Sequence, residues 1–262
     1  MITTLKCMSK IIADYVSNIV FPLYGQLSLD DVRKYGMEKY VLSHIGSAIK
    51  IQIENRLFVL TAYHCIKKLG SLYPRVFHSW ELALNPMKAF PFLPFKNRYL
   101  PKSDEYNYEE DFAFLEIDTD SARWKEAFAL YGINCFNIRD CKTRKDKEET
   151  LTLHTAALQY SKNSGFIFGY PIFDAVDYDT PLLRPKQQLI PVKNIERINA
   201  LFYKYEMELP EGFNDEKLSG MSGGALCCLI DNRVRLMGLH ILGSNGIGHA
   251  ITMPLIASEQ LK

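Results

Sequence analysis

Between residues 5 and 21 apolar side chains recur at spacings of three and four, at Leu5, Met8, Ile11, Ile12, Tyr15, Val16, Ile19 and Val20, the pattern of an amphipathic helix. Ser28 followed by Asp31 marks a capping start for a second short helix over 29–40. Residues 1–42 therefore read as a helical N-terminal extension. From residue 45 the period changes to two: Ile49, Ile51 and Ile53 alternate with Lys50, Gln52 and Glu54, Asn55-Arg56 can turn, and Leu57-Phe58-Val59-Leu60 is a buried run. This predicts a β-hairpin leading to His64. Further strands are predicted at 112–117, 151–158, 166–168, 188–192, 201–208, 225–230, 236–241 and 249–253. Many short strands with few strong helices indicate an all-β barrel protein. Residues 90–101, rich in proline and aromatics, and the mixed-charge run 141–150 read as surface loops.

Composition narrows the function classes. The chain has 262 residues, 47% of them apolar, with 31 Lys+Arg against 30 Asp+Glu for a net charge of +1. That balance lacks the basic field by which a protein holds nucleic acid or an anionic membrane through charge alone, and the run at 141–150 interleaves acids with its bases. Neither partner is expected. At this size a folded chain buries roughly three quarters of its surface and needs no staples. The six cysteines form no C-x-x-C pair, and the early apolar runs, such as Ile19-Val20-Phe21, are too short for a signal peptide core or a membrane span. A cytoplasmic protein with reduced thiols is expected.

Three separated segments carry candidate chemistry. His64 follows a buried strand, where an imidazole suits either a general base or a structural role. Asp111 stands at the mouth of the apolar strand Phe112-Ala113-Phe114-Leu115; a carboxylate buried there needs donors, and an imidazole N–H is one. Ser222 lies in Ser219-Gly220-Met221-Ser222-Gly223-Gly224, where glycines let the chain turn tightly and expose a hydroxyl beside outward N–H groups. Alone, this segment has a second reading, as a glycine-rich turn.

The order His, Asp, Ser, with spacings of 47 and 111 residues, resembles the triad of trypsin-like, chymotrypsin-fold serine peptidases over residues 43–258. The resemblance implies a double antiparallel β-barrel, with residues 43–130 as a first barrel carrying His64 and Asp111 and residues 131–262 as a second carrying Ser222. The longer second spacing implies an insertion within about 135–215. By the same resemblance Ser222 is the nucleophile, His64 the general base and acid, Asp111 the orienting acid, and the N–H groups of Gly220 and Ser222 the oxyanion hole, with no cofactor or metal. The segment Gly165-Phe166-Ile167-Phe168-Gly169-Tyr170-Pro171 looks like a strand turn of the second barrel in bacterial and viral members.

The chain departs from the secreted members of that family. Cys65 follows the histidine, but residues 45–54 hold no cysteine to bridge it, and Met221 stands where zymogen-activated members have an Asp. Control through a cleaved N-terminus is therefore not expected, and the N-terminal extension becomes a candidate for docking a regulatory protein. Downstream, Gly238-Leu239-His240 resembles the pocket segment of glutamyl endopeptidases and picornavirus-like main proteases. That resemblance has His240 read a Glu or Gln side chain before the cut bond, aided by Ser219 on the nucleophile loop, with Gly243 and Ser244 lining the pocket. A protein or peptide substrate follows. Two alternatives stand beside it: an Arg/Lys preference through Asp215 and Glu216, and a peptide-binding module without turnover on a peptidase fold.

Overall fold

The computed structural model describes residues 16, 19–26, 42–72, 95–101, 110–122, 124–125, 134–138, 143–171, 188–213, 215–231 and 233–253. They form an all-β molecule in two units. The first is a six-stranded sheet of β1 (Val20–Gln26), β2 (Leu42–Ile53), β3 (Arg56–Thr61), β4 (Phe95–Tyr99), β5 (Ala113–Ile117) and β6 (Phe136–Ile138), with α1 (Tyr63–Leu72) following β3. The sheet runs β1-β2-β3-β5-β4, and β6 pairs in parallel with β2 at Ile51–Ile53. The second unit begins with α2 (Arg144–Tyr160). It continues with β7 (Gly165–Gly169), β8 (Gln188–Arg197), β9 (Phe202–Met207), α3 (Asp215–Leu218), β10 (Ala225–Ile230), β11 (Arg233–Ser244) and β12 (Ile247–Thr252). Its six strands close a barrel in the order β10-β11-β12-β9-β8-β7. Two β units, the second a closed antiparallel barrel, give the double-barrel arrangement of chymotrypsin type.

The period-two segments behave as expected. Ile49, Ile51 and Ile53 on β2, with Phe58, Val59 and Leu60 on β3, pack into the first core, and Tyr203, Tyr205 and Met207 on β9 point into the closed barrel beside Ile190, Val192 and Leu226. Burying each such side chain stabilises the fold by about 1.5–3 kcal/mol. The hairpin turn falls at Glu54–Asn55, with Glu54 at φ 53°.

Four readings are corrected. The helical pattern over 5–21 ends in a strand: β1 pairs with β2 from Val20↔Ile49 to Gln26↔Leu42, so the first unit starts before residue 43. Val20, Phe21 and Leu23 are buried, and an edge strand covering β2 buries them better than a helical stripe would. Residues 1–15 and the helix expected over 29–40 lie outside the described residues. The boundary at 130 also moves, because β6 belongs to the first sheet. The segment expected as a loop at 141–150 and a strand at 151–158 is, from Arg144, a single 17-residue helix. Residues 95–99 of the proline-rich segment are a strand rather than a loop, paired with β5.

Candidate functional site

β3 ends at Thr61, and α1 begins at Tyr63, so His64 sits in the first helical turn just beyond the C-terminal end of β3. Backbone N–H groups of a first turn have no partner within the helix. Asp111, 1% exposed just before β5, supplies one. Its Oδ1 accepts the His64 backbone N–H at 2.8 Å, and its Oδ2 meets the imidazole Nδ1 at 2.6 Å. Both carboxylate oxygens thus grip one residue and fix its ring. Burial works against the charged imidazole, but the hydrogen bonds and charges of Asp111 and Cys65 outweigh it, and the His64 pKa is raised to about 10.

Ser222 enters the same junction from the second unit. Its backbone carbonyl accepts Ser47 N–H at 2.8 Å and lies 3.8 Å from Cys65 Sγ, the residue next to His64. The Ser222 hydroxyl donates to the Ile241 carbonyl at 3.0 Å. The loop is tight. Gly223, at φ +87°, packs so closely that a Cβ there would stand 1.9 Å from the Ser47 carbonyl oxygen, so no other residue fits without displacing β2. Gly223 N–H bonds the His240 carbonyl at 2.8 Å, Gly224 N–H bonds the Met221 carbonyl at 2.9 Å, and Met221 N–H bonds the Leu218 carbonyl at 3.0 Å. The N–H groups of Gly220 and Ser222 take no protein acceptor among the described residues.

His240, on β11, is 2% exposed. Burial, then the neighbouring charges of His64 and His249, lower its pKa to about 3, so the ring is neutral at physiological pH. Its Nδ1 lies 2.6 Å from the Tyr205 hydroxyl, which also reaches the His249 carbonyl at 3.3 Å. Nε2 has no protein partner among the described residues. Gly243 lies beside it: a Cβ there would be 3.4 Å from His240 Cε1. Ser219 is exposed on the loop before Gly220. Ser244 points elsewhere, its hydroxyl donating to Asp215 Oδ2 at 3.0 Å while Asn245 N–H takes Oδ1 at 2.8 Å. Asp215, exposed at the start of α3, thereby holds the Ser244–Asn245 turn; the side chain of Glu216 lies outside the described residues.

His64 and Asp111 are thus joined directly, while Ser222, whose hydroxyl is turned to the Ile241 carbonyl, reaches the first unit through its own carbonyl, 2.8 Å from Ser47 N and 3.8 Å from Cys65 Sγ. Sequence reasoning missed Tyr205 and Ser47. Tyr205 shows only as one aromatic in the alternation of β9, and Ser47 as a small polar residue inside an apolar strand. Among the described residues no group of three or more His, Cys, Asp or Glu is placed to hold a metal, and no helix is long and apolar enough to cross a membrane.

No protein-family model matches the chain, and no curated protein matches its sequence. Among solved structures it is similar to a thermostable serine protease, AL20, from an extremophilic microorganism. The identity is 10% and the TM-score 0.47, over 92% of each chain. It is also similar to a structure described for the coupled folding and binding of the intrinsically disordered Sesbania mosaic virus VPg protein. There the identity is 13% and the TM-score 0.46, covering 94% of this chain and 98% of that one.

Proposed function

We propose that this chain is a serine endopeptidase working through an acyl-enzyme. The observation that carries the reading is the grip of buried Asp111 on both the backbone N–H and the Nδ1 of His64, beside a serine loop with two uncommitted N–H groups. A carboxylate held at Nδ1 leaves Nε2 as the basic nitrogen. In the reaction the Ser222 hydroxyl turns from the Ile241 carbonyl, gives its proton to His64 Nε2 and attacks the scissile carbonyl carbon. The oxygen takes up the negative charge and is met by the N–H groups of Gly220 and Ser222. The tetrahedral centre collapses, the C–N bond breaks, and His64 hands its proton to the departing amine. Water, deprotonated by His64, then attacks the acyl carbon; the ester C–O bond breaks, His64 returns the proton to Ser222 Oγ, and the peptide acid leaves.

The substrate is a protein or peptide cut after Glu or Gln. We assign the one Tyr205 hydroxyl proton to Nδ1 of neutral His240, the nearer acceptor at 2.6 Å against 3.3 Å for the His249 carbonyl; the imidazole proton then sits on Nε2, a donor suited to a carboxylate or carboxamide oxygen. Gly243 packs beside that ring and Met207, where a Cβ would stand 3.4 Å from His240 Cε1 and 2.9 Å from Met207 Cε, and Ser219 stands on the nucleophile loop as a second donor. The alternative, an Arg/Lys preference, rests on Asp215, whose two oxygens accept from Ser244 and Asn245.

A fluorophosphonate probe tests the chemistry without a known substrate. Labelling of the wild type that disappears in Ser222→Ala and in His64→Ala is the expected result. A folded wild type that takes no probe removes the hydrolase reading and leaves a binding module. Digestion of a peptide library then reads specificity, and cuts dominated by Lys, Arg or large apolar residues would contradict the role given to His240.

A further inference from the structure

The loop that carries Ser222 is anchored from the other unit by Ser47, with Cys65 Sγ 3.8 Å from the Ser222 carbonyl beside it. Ser47, on β2, is fully buried, and each of its polar groups is engaged. Its N–H donates to the Ser222 carbonyl at 2.8 Å, and its carbonyl accepts from Thr61 Oγ1 at 2.8 Å. Its hydroxyl donates to the Gly220 carbonyl at 2.7 Å and accepts Tyr170 N–H at 2.8 Å. Three of these four bonds end on the second unit, and two of them end on the residues whose N–H groups would meet the oxyanion.

Gly220 needs such an anchor. At φ +89° and without a side chain, it has little of its own to stop its flanking peptides from rotating. The Gly220 N–H belongs to the preceding Ser219–Gly220 peptide, and it projects from a Cα whose place is set by the peptide that follows. The carbonyl side of Gly220 is pinned by Ser47 Oγ, and the following N–H, of Met221, by the Leu218 carbonyl. The first unit therefore holds the peptide that follows Gly220.

We infer that Ser47 is a positioning residue for the oxyanion hole: by holding the carbonyls of Gly220 and Ser222 it fixes the places in the loop from which their N–H groups project toward the oxygen that Ser222 attack would charge. The inference rests on the reading of Ser222 as nucleophile, and it places control of that hole on a strand that contributes no catalytic group. Because the anchor acts on the transition state and not on substrate side chains, its removal should lower kcat and leave KM alone.

The test uses the full chain and two readouts, the fluorophosphonate labelling rate with kcat and KM on a peptide ester, and amide hydrogen exchange over 218–224. In Ser47→Ala the labelling rate and kcat are expected to fall roughly 10- to 100-fold, as on loss of an oxyanion donor, with KM within about twofold. Exchange over 218–224 is expected to accelerate at least about tenfold while β8 and β9 stay unchanged. If Ser47→Ala does not fold, Ser47→Cys, which returns a weaker donor of similar size, is read in its place. Faster exchange with an unchanged labelling rate would overturn the positioning role, and unchanged exchange would overturn the anchor itself. A wild type that takes no probe defeats the hydrolase reading instead, and exchange alone then decides whether Ser47 anchors the loop.

Discussion

His64 ties stability and activity to pH in opposite senses. Its pKa in the folded chain is raised to about 10, above the ordinary 6.5, so the imidazolium–Asp111 pair stabilises the fold fully below about pH 6.5 and loses that contribution as pH climbs toward 10. A general base must be unprotonated, so the labelling rate of Ser222 is expected to rise through the same window while the denaturation midpoint declines. Measuring both from pH 6 to 10.5 checks the sign, and His64→Ala should flatten both profiles. His240 answers to its neighbour. Replacing Tyr205 with Phe removes the hydroxyl 2.6 Å from Nδ1 and frees the imidazole proton to sit on either nitrogen. Losing one buried hydrogen bond is worth about 1–2 kcal/mol, so kcat/KM for Glu and Gln peptides should fall roughly 5- to 30-fold. Peptides with apolar residues at that position should change little. If all peptides fall together, Tyr205 only supports the strand. His64, Asp111 and Ser222 were legible in the sequence because each stands in a short pattern with its own chemistry. Ser47 was not, since its partners Gly220 and Tyr170 lie 173 and 123 residues away.

Elements were legible where one period dominated and were misread where two competed. Leu151 and Leu153 alternate like a strand, but Leu153 is 51% exposed, and the residues α2 buries are His154, Ala157 and Leu158, spaced three and four apart. The charged run before them supplies Arg144–Glu148 and Lys145–Glu149 pairs one turn apart, which suit a helix surface. Thr143 and Asp146 close a reciprocal capping box at its start. Replacing Thr143 with Ala is expected to lower stability by about 1 kcal/mol in chemical denaturation, with probe labelling unchanged because α2 lies outside the candidate site. A loss of labelling without a loss of stability would mean that the helix acts on the site. β1 was hidden for a related reason: Val16, Ile19 and Val20 continue a helical spacing into a segment whose Phe21 and Leu23 fit a strand.

At the scale of the whole molecule, β1 changes what the N-terminal region can do. The extension was expected to dock a regulatory partner, yet its last part is built into the first sheet. Val20, Phe21 and Leu23 are buried there, Lys50 N–H donates to the Ile19 carbonyl at 2.9 Å, and the Tyr170 hydroxyl reaches across from the second unit to the Val20 carbonyl at 3.4 Å. Exposing those three side chains would cost about 5–9 kcal/mol, comparable to the roughly 5–15 kcal/mol that holds a whole domain together. Deleting residues 1–40 is therefore expected to yield protein without a cooperative melt, and any activity lost with it would report unfolding and say nothing of regulation. Deleting 1–14 keeps Val16, Ile19 and β1, and is expected to leave the melting temperature within a few degrees. Only this shorter truncation can test a regulatory segment. Faster probe labelling would assign restraint to residues 1–14, and an unchanged rate would leave control of the site with contacts between the two units, of which the Ser47 bonds to Gly220 and Ser222 are the most direct.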